Sequence, residues 1–499
     1  MSESRSYNNF LALPLLLMPA VASLAAVLSA GWLAIDDAYI TFRYAENLAH
    51  GLGFVYNPGE RVLGTTTPLY CLWLACGNLA GIPTLPLALV TGILGAAASS
   101  YLLWRIGRDG GLGRAGYAAG LLLAFFPRFW ISAVSGMETT LAAGLALLSL
   151  WLDYRKRPAL TGLTLAALIL TRPDAASLAA AILLVRLVLD RKAALVEVLV
   201  LALFLLPWLT FGWSYFGSPI PHSIEAKRLI HPFPWHLVLS KELKWFISEP
   251  GLILLSGLWF AGAGWIVARR RELLALVLWP ILFLAGLAAA QAGPFFWYRA
   301  PLIPAYLFVA GLGLEVLAGL LPGRWSGRLR AALVALLLGL LLAPVPTALS
   351  EGLATLVAKE RVYQEMADRI RQFGRPGDKV FVGDVGVLGY RLQDYYLLDS
   401  SGINSPEVYR IRLEDRERLL QKDASSRFDW WGTPEWSRQV IETYQPRWIA
   451  SDLSYLHLKE LLAEPGFQKE YRLDRTWSVP PAQYGLLVRR QEPESAPSP

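Results

Sequence analysis

The sequence is poor in cysteine, in histidine and in charged residues, and each scarcity excludes a class of protein. The two cysteines, Cys71 and Cys76, lie in one apolar stretch, so a disulfide framework is excluded for everything after them. Three of the five histidines lie in one segment, 222–236, with an irregular spacing that does not fit a metal site. Only 17% of the residues are charged, whereas soluble domains carry about 25%.

What the chain has instead is apolar sequence. Hydrophobic residues make up 55% of the 499 residues, and the mean hydropathy is +0.40. The net charge of +7 is unevenly spread, because residues 351–499 hold 21 basic and 23 acidic residues and the rest hold 25 and 16. The excess of base thus accompanies the apolar part, which indicates membrane topology rather than a nucleic-acid partner. We therefore expect a polytopic membrane protein.

Eleven apolar runs are candidate membrane spans, although several are shorter than the ~20 residues that a span usually needs. The first is long enough to span and has no convincing small-residue cleavage site after it, so it does not resemble a cleaved signal peptide. The runs are 10–33, 85–104, 115–134, 138–153, 158–171, 175–189, 194–213, 251–268, 273–291, 300–320 and 330–347.

Basic clusters recur at every second loop between these runs, and such clusters stay cytoplasmic. They are Arg105/Arg108/Arg114, Arg155–Arg157, Arg191/Lys192, Arg269–Arg271 and Arg324/Arg328/Arg330. This pattern predicts about eleven spans with the N-terminus in the cytoplasm. The long loops 34–84 and 214–250, and everything after about residue 350, would then face outward.

The chain changes character at Glu351, which divides it into a transmembrane domain, 1–350, and a second domain, 351–490. Short apolar runs at 379–382, 395–398, 447–450 and 484–488 alternate with helical patterns such as 406–420 and 434–444. Alternating strands and helices predict a small extracytoplasmic α/β domain. The end of the chain, 491–499, is predicted to be a disordered tail.

Two adjacent carboxylates, Asp36 and Asp37, stand where the first apolar run ends. A charge at mid-bilayer costs about 2.5–3.5 kcal/mol on insertion scales, so acids at this boundary suggest a task at the membrane surface. If residues 36–50 form a helix, Asp36, Tyr39, Arg43, Asn47 and His50 share one stripe along the membrane surface. The stripe is either a general base beside an anion-binding group or the wet side of an interfacial helix.

Further along this loop, Thr65-Thr66-Thr67-Pro68 precedes an apolar run and is a plausible helix start. The exposed amide groups of a helix start can hold a phosphate, and ordinary capping explains the segment equally well.

Several segments, taken in order, resemble bacterial GT-C glycosyltransferases, and most closely the terminal arabinofuranosyltransferase group and its relatives. The first outer loop carries the resemblance in Asp36–Ala45 and in Gly51–Glu60. Later segments are Ser135–Thr139 ("SGxE"), Leu170–Asp174 ("TRPD"), Pro221–Lys227 ("PNSxxAK"), Tyr298–Pro304 ("RYxxPxxP"), Gly383–Gly386 and Leu398–Gly402. Two departures are His222, where the family has Asn, and Thr65–Pro68, which also resembles the lipid-A aminoarabinose transferase branch.

The resemblance implies transfer of a hexose or pentose from a polyprenyl-phosphate donor to a glycan, lipid or protein acceptor at the outer face of the bacterial inner membrane. It favours Asp36 as the catalytic base of an inverting displacement, with Asp37 orienting the acceptor. No cofactor is expected with certainty, and a divalent cation on Asp36 and Asp37 is an option. The residues expected to contact the sugar or the lipid phosphate are Tyr39, Arg43, Arg172, Asp174, His222, Lys227 and Arg299.

Other interpretations of these residues stay open. Arg172 and Asp174 could be a surface ion pair at a helix end, and Lys227 and Arg299 could be interfacial side chains that extend toward water. Glu138 suits a helix start, and Asp384 suits the turn after a strand. A lipid-linked sugar transporter or a non-catalytic glycan-binding protein are alternative functions, although the sequence has no matching halves of the kind that many transporters contain.

Overall fold

A computed structural model describes residues 13–25, 34–230, 233–291, 293, 295–343, 354–422 and 432–490. The chain forms two compact units. The helical unit comprises Met1–Ala34, Thr66–Ser214 and Pro234–Leu353, and the α/β unit comprises Ile35–Thr65, Tyr215–Phe233 and Ala354–Pro499. The α/β unit thus contains the start of the first long loop, which we assigned to the transmembrane domain. The predicted disordered tail, 491–499, lies outside the described residues.

Helices make up most of the described chain. In chain order they are α1 (Leu13–Ala25), α2 (Asp36–Ala49), α3 (Pro68–Leu79), α4 (Thr84–Asp109), α5 (Gly113–Ala124), α6 (Pro127–Ala133), α7 (Thr139–Tyr154), α8 (Pro158–Thr171), α9 (Ala176–Leu189), α10 (Arg191–Phe216), α11 (His222–Ile230), α12 (Trp235–Trp245), α13 (Pro250–Arg269), α14 (Leu274–Ala290), α15 (Phe296–Arg299), α16 (Ile303–Gly319), α17 (Gly323–Leu342), α18 (Ala354–Phe373), α19 (Gly386–Arg391), α20 (Pro406–Lys422), α21 (Pro434–Tyr444), α22 (Leu458–Leu462) and α23 (Pro465–Glu470).

The eleven apolar runs are mostly helical where the structure describes them. Among the described residues, six helices are long and apolar enough to cross a membrane, or seven if the bent pair α5 and α6 is one span. This pair is bent by 67° where Pro127 begins α6, because proline cannot continue the hydrogen bonding of the preceding helix. The fold class is therefore confirmed, and the count of about eleven spans stays a prediction.

Small residues let the long helices of the helical unit pack at backbone distance. A Cβ atom on Gly262 of α13 would lie 2.0 Å from the carbonyl oxygen of Val309, and one on Gly313 of α16 would lie 1.8 Å from that of Leu258. Glycine is therefore required at both positions of this contact. Such interfaces are typical of helices packed in membranes, where close contact replaces hydrophobic burial as the attraction between helices.

The α/β unit is built around a five-stranded sheet with the order β2-β1-β3-β5-β4. Strands β1, β2 and β3 are parallel, and β5 joins β3 and β4 in antiparallel pairs. The strands are β1 (Lys379–Val382), β2 (Tyr396–Asp399), β3 (Trp448–Asp452), β4 (Tyr471–Val479) and β5 (Ala482–Arg489). Short apolar runs predicted all of these except β4, which is an edge strand with mostly exposed side chains and therefore lacks an apolar pattern.

Helix α2 packs against α19 inside the α/β unit. The acidic start of α2 meets the start of α19 through Gly386, while Arg43, two turns later, binds carbonyl oxygens at the end of α19, those of Gly389 and Leu392. The two helices therefore run side by side in the same direction. The stripe is not the wet side of an interfacial helix, because Tyr39, Arg43 and Asn47 are at most 4% exposed.

Candidate active site

The carboxylate of Asp36 is held by the first turn of α19. Its Oδ2 accepts a hydrogen bond from the backbone N–H of Gly386 at 2.9 Å, and its Oδ1 accepts one from Val387 at 2.8 Å. A Cβ atom at position 386 would lie 1.8 Å from the carbonyl oxygen of Asp36, so only glycine allows this approach. The acid is thereby fixed in one orientation by the C-terminal part of the chain.

Three further acids surround this position. The backbone N–H of Asp36 donates to Oε1 of Glu360 at 2.9 Å, and Glu360 is only 2% exposed. Burial and the neighbouring Asp384 raise the pKa of Asp36 to about 7, with Asp37 adding to the increase, while Lys359 and the N–H of Val387 act in the opposite direction. Burial also raises the pKa of Glu360 well above its ordinary value, which favours its neutral form.

Asp384 is itself firmly bound. Its Oδ2 accepts a hydrogen bond from the hydroxyl of Tyr363 at 2.5 Å and lies 2.8 Å from Nζ of Lys359. The sequence suggested that Asp384 forms a turn after a strand. It does follow β1, and in addition it links α18 to the surroundings of Asp36. Burial lowers the pKa of Lys359, but Asp384 and Asp36 more than offset this effect, so the net pKa is raised and the side chain stays charged.

Asp37, which follows Asp36 in the sequence, forms an ion pair with Lys227. Nζ of Lys227, on α11, lies 3.0 Å from Oδ2 of Asp37, and each side chain is 29% exposed. The structure thus brings together two residues that separate sequence motifs had indicated. This pair is partly open to solvent, whereas Asp36 is held by backbone amides.

Arg43 has a different environment from the one expected for a phosphate ligand. It is fully buried, and its guanidinium donates to the carbonyl oxygens of Tyr56, Gly389, Leu392 and Tyr395. This arrangement ties α2 to its own loop and to the end of α19. We therefore assign Arg43 to fixing α2 in the α/β unit.

Tyr39 and His222 also lie within the α/β unit. The ring of Tyr39 packs between Phe42 and Tyr390, at centroid distances of 5.2 and 5.3 Å. The backbone N–H of His222 donates to the carbonyl of Leu63, and its ring packs edge-on against Tyr409. Burial lowers the pKa of His222, which favours the neutral imidazole.

Arg172 and Asp174 belong to the helical unit, where they form an ion pair with two parallel hydrogen bonds, of 3.1 and 2.7 Å. A third contact, 3.1 Å long, joins Arg172 to Glu138. Arg172 is 5% and Glu138 4% exposed, so this is a buried cluster and not the surface ion pair that the sequence left open. Glu138 does precede α7 as expected, and the structure adds its contact with Arg172.

Arg299 also lies in the helical unit. Its Nε is 2.8 Å from Oε2 of Glu242, which is fully buried. Its guanidinium and that of Arg128 both lie over the ring of Trp245, at 5.3 and 5.6 Å from the centroid. Arg299, Arg128 and Trp245 line a pocket of about 210 Å³ together with Phe296 and Ile303. Arg299 is thus held in place by a carboxylate and an indole ring.

Across the described ranges, no group of three His, Cys, Asp or Glu side chains has an arrangement that could hold a metal ion. The sequence did not indicate that Lys359, Glu360 and Tyr363 lie near Asp36, because they belong to an amphipathic helix without a motif. One signal was available. Asp384 and Asp399 stand at or just beyond the carboxyl ends of the parallel strands β1 and β2, which is where α/β sheets place functional groups.

The family model of a domain of unknown function, DUF8728, matches residues 354–493, the C-terminal part of the α/β unit. A search of curated protein sequences gives no match.

Solved structures match nearly the whole chain. ArnT from Cupriavidus metallidurans, bound to undecaprenyl phosphate, is 15% identical, with 95% of this chain and 97% of that chain covered and a TM-score of 0.57. The oligosaccharyltransferase of Archaeoglobus fulgidus matches in a complex with zinc and sulfate, with 13% identity, a TM-score of 0.54, and 95% of this chain and 72% of that chain covered. The same enzyme, tethered to an acceptor peptide with an NVT sequon, matches with 14% identity, a TM-score of 0.53, and 96% and 74% covered. The chain therefore has the GT-C fold, and its apolar helices are those of a multi-pass membrane protein.

Proposed function

We propose that the protein is a glycosyltransferase that moves a sugar from a polyprenyl-phosphate donor to an acceptor hydroxyl at the extracytoplasmic face of the membrane. The observation that carries this proposal is a pair of adjacent acids in a chain with the GT-C fold: Asp36 is held by the start of α19, and Asp37 is paired with Lys227. The undecaprenyl phosphate bound to ArnT supports a lipid-linked donor, and the acceptor peptide bound to the archaeal enzyme supports a glycan or protein acceptor.

The proposed reaction is a single displacement at the anomeric carbon. The acceptor oxygen forms a bond to this carbon while the bond from the carbon to the phosphate oxygen breaks, and the acceptor proton moves to Asp36. A carboxylate with a pKa of about 7 suits this task, because a base works best when its pKa lies near the working pH. Attack from the face opposite the leaving group inverts the anomeric carbon.

Negative charge grows on the lipid phosphate as it leaves, so a fixed cation there stabilises the transition state. Lys227 is the best-placed candidate in the α/β unit, because Asp37 orients its ammonium group and 29% of the side chain is exposed. Tyr39 and His222 are candidates for contacts with the sugar, and Arg172, Asp174 and Arg299 for the donor contacts of the helical unit. Arg43 acts indirectly, through the position of α2.

The experiment is sugar transfer by the full-length protein in detergent, from a panel of polyprenyl-phosphate hexoses and pentoses to envelope extracts. We expect Asp36→Asn to lower the transfer rate by about 10²–10⁴-fold. Asp368→Asn is the matched control, because Asp368 is 62% exposed on the same unit and should leave the rate unchanged.

Full activity of Asp36→Asn would remove Asp36 from the role of base. Movement of the intact lipid-linked sugar across vesicles, with no new glycosidic bond, would favour the transporter over the transferase.

A further inference from the structure

A second lysine–aspartate pair, Lys359 with Asp384, lies beside Asp36 and has no role in the proposed reaction. The two side chains are 33% and 38% exposed, and their charged atoms are 2.8 Å apart. Lys359 directly precedes Glu360, whose carboxylate accepts the backbone N–H of Asp36. The pair is therefore part of the surroundings of the first acid, although it comes from a segment more than 300 residues away.

The position of Lys359 is fixed by contacts on two sides. Tyr363 donates to the same carboxylate oxygen, Oδ2 of Asp384, that Lys359 approaches, and the ammonium group lies 5.7 Å from the centre of the Tyr363 ring. Tyr363 is 1% exposed and packs edge-on against Tyr484 of β5. Packing against β5 thus fixes Tyr363, the hydroxyl of Tyr363 binds Asp384, and Asp384 binds Lys359.

The charges around Asp36 make this lysine necessary. Asp384 and Asp37 act on Asp36 with like charge, and Lys227 is already paired with Asp37. Lys359 acts on Asp36 with the opposite charge. Like charges a few ångströms apart repel strongly where water is partly excluded. Loss of Lys359 would leave this repulsion uncompensated and would weaken the binding of the Asp36 carboxylate to the amide groups of Gly386 and Val387.

We propose that Lys359 is a positioning residue of the active centre, which keeps the Asp36 carboxylate on the first turn of α19 without touching the substrate. The role of Asp36 in transfer rests on the proposed function above. The proposal gives the C-terminal part of the α/β unit a role in completing the acid centre.

The first measurement is the transfer rate of Lys359→Met and Lys359→Arg. We expect Lys359→Met to lower kcat by roughly 10- to 100-fold, the range for a misplaced catalytic group, with KM for the lipid donor within about twofold of the wild type. Lys359→Arg should recover most of the rate, because it restores the positive charge. Lys459→Met, at an exposed position of the same unit, is the control and should match the wild type.

The second measurement needs no activity. The full-length protein in detergent is treated with a water-soluble carbodiimide and an amine, and labelling of each carboxyl group is read by mass spectrometry. We expect labelling of Asp36 to rise several-fold in Lys359→Met and to stay low in Lys359→Arg. Asp399, which is fully buried and hydrogen-bonded, reports unfolding, and the exposed Asp368 reports the reagent.

Unchanged labelling of Asp36 in folded Lys359→Met would overturn the proposal, as would labelling of Asp36 and Asp399 that rises together, since that marks a purely structural role. A fall in donor affinity with kcat unchanged would also overturn it, because Lys359 would then be a binding residue. If the wild type transfers no sugar but Asp36 labelling still rises in Lys359→Met, the proposed function fails and the positioning role stands.

Discussion

The cationic side chains near the candidate site residues have different partners in the two units of the molecule. In the helical unit, Arg172 and Arg299 are 5% and 16% exposed and bind buried carboxylates. In the α/β unit, Lys227 and Lys359 are 29% and 33% exposed and each lies against a partly exposed aspartate. A guanidinium fork can satisfy buried carboxylates from several sides, whereas an ammonium is a compact charge with three donors. The comparison favours Lys227 as the contact for an incoming phosphate in the α/β unit, where Arg43 is a support.

The largest expected effect tests the buried arginine of the α/β unit. Arg43→Met removes the donor shared by the carbonyl oxygens of Tyr56, Gly389, Leu392 and Tyr395, and we expect it to cost about 5 kcal/mol, from roughly 1–3 kcal/mol per hydrogen bond lost. Thermal unfolding in detergent measures this. Arg391→Met, at a side chain that is 36% exposed, should change little. Equal melting temperatures for the two variants would contradict the supporting role of Arg43.

The next effect tests the arginine of the helical unit. Arg172→Met leaves Glu138 as a buried charge without its partner, and removing one member of a buried pair costs about 3–5 kcal/mol. Adding Glu138→Gln to this variant should recover part of the loss. The melting temperatures of the single and double variants decide the matter, with the half-exposed Arg155→Met as the control. A stable Arg172→Met that has lost only donor affinity would make Arg172 a ligand of the phosphate.

A smaller effect is expected for the partly exposed ion pair of Lys227 and Asp37. Lys227→Met should lower kcat/KM about tenfold, the equivalent of about 1.4 kcal/mol of transition-state stabilisation, with little change in melting temperature. Lys227→Arg should retain more of the activity, since a cation remains. Lys469→Met, at an exposed lysine, is the control. If Lys227→Met unfolds at as low a temperature as Arg43→Met, the distinction between a partly exposed lysine that contacts phosphate and a buried arginine that supports the fold does not hold.

The smallest expected effect is the change in transfer rate with pH just above neutrality. Because the pKa of Asp36 is raised to about 7, the transfer rate should rise about twofold from pH 7 to pH 8 and fall about tenfold per unit well below pH 7. The folded protein also binds a proton at Asp36 more tightly than the unfolded chain does, so stability falls as the pH rises from about 4 to 7. Asp36→Asn should therefore melt at a higher temperature than the wild type at pH 8, and this gain should vanish near pH 4. A rate that is flat from pH 5 to pH 8 would contradict Asp36 as the base.

Much of the architecture could be predicted from the sequence, because long and short apolar runs are patterns of neighbouring residues. The eleven runs, four of the five strands and the start of α2 at Asp36 all follow from such local patterns. The strand β4 could not be predicted, because an edge strand that is solvated on most of its side chains has no apolar signal. The boundaries of the two units could not be predicted either, because Ile35–Thr65 joins the C-terminal residues only through contacts that are distant in sequence.

The residues of the candidate site divide in the same way. The sequence determined where the charges stand in the chain, because acids and bases are costly inside apolar runs and so appear at their ends. Only the tertiary structure decided their partners: Asp36 with the amides of α19, Lys227 with Asp37, and Arg43 with backbone carbonyl oxygens. Whether a charged side chain meets solvent, a carboxylate or the backbone depends on segments that fold beside it from elsewhere in the chain, and no local pattern records that choice.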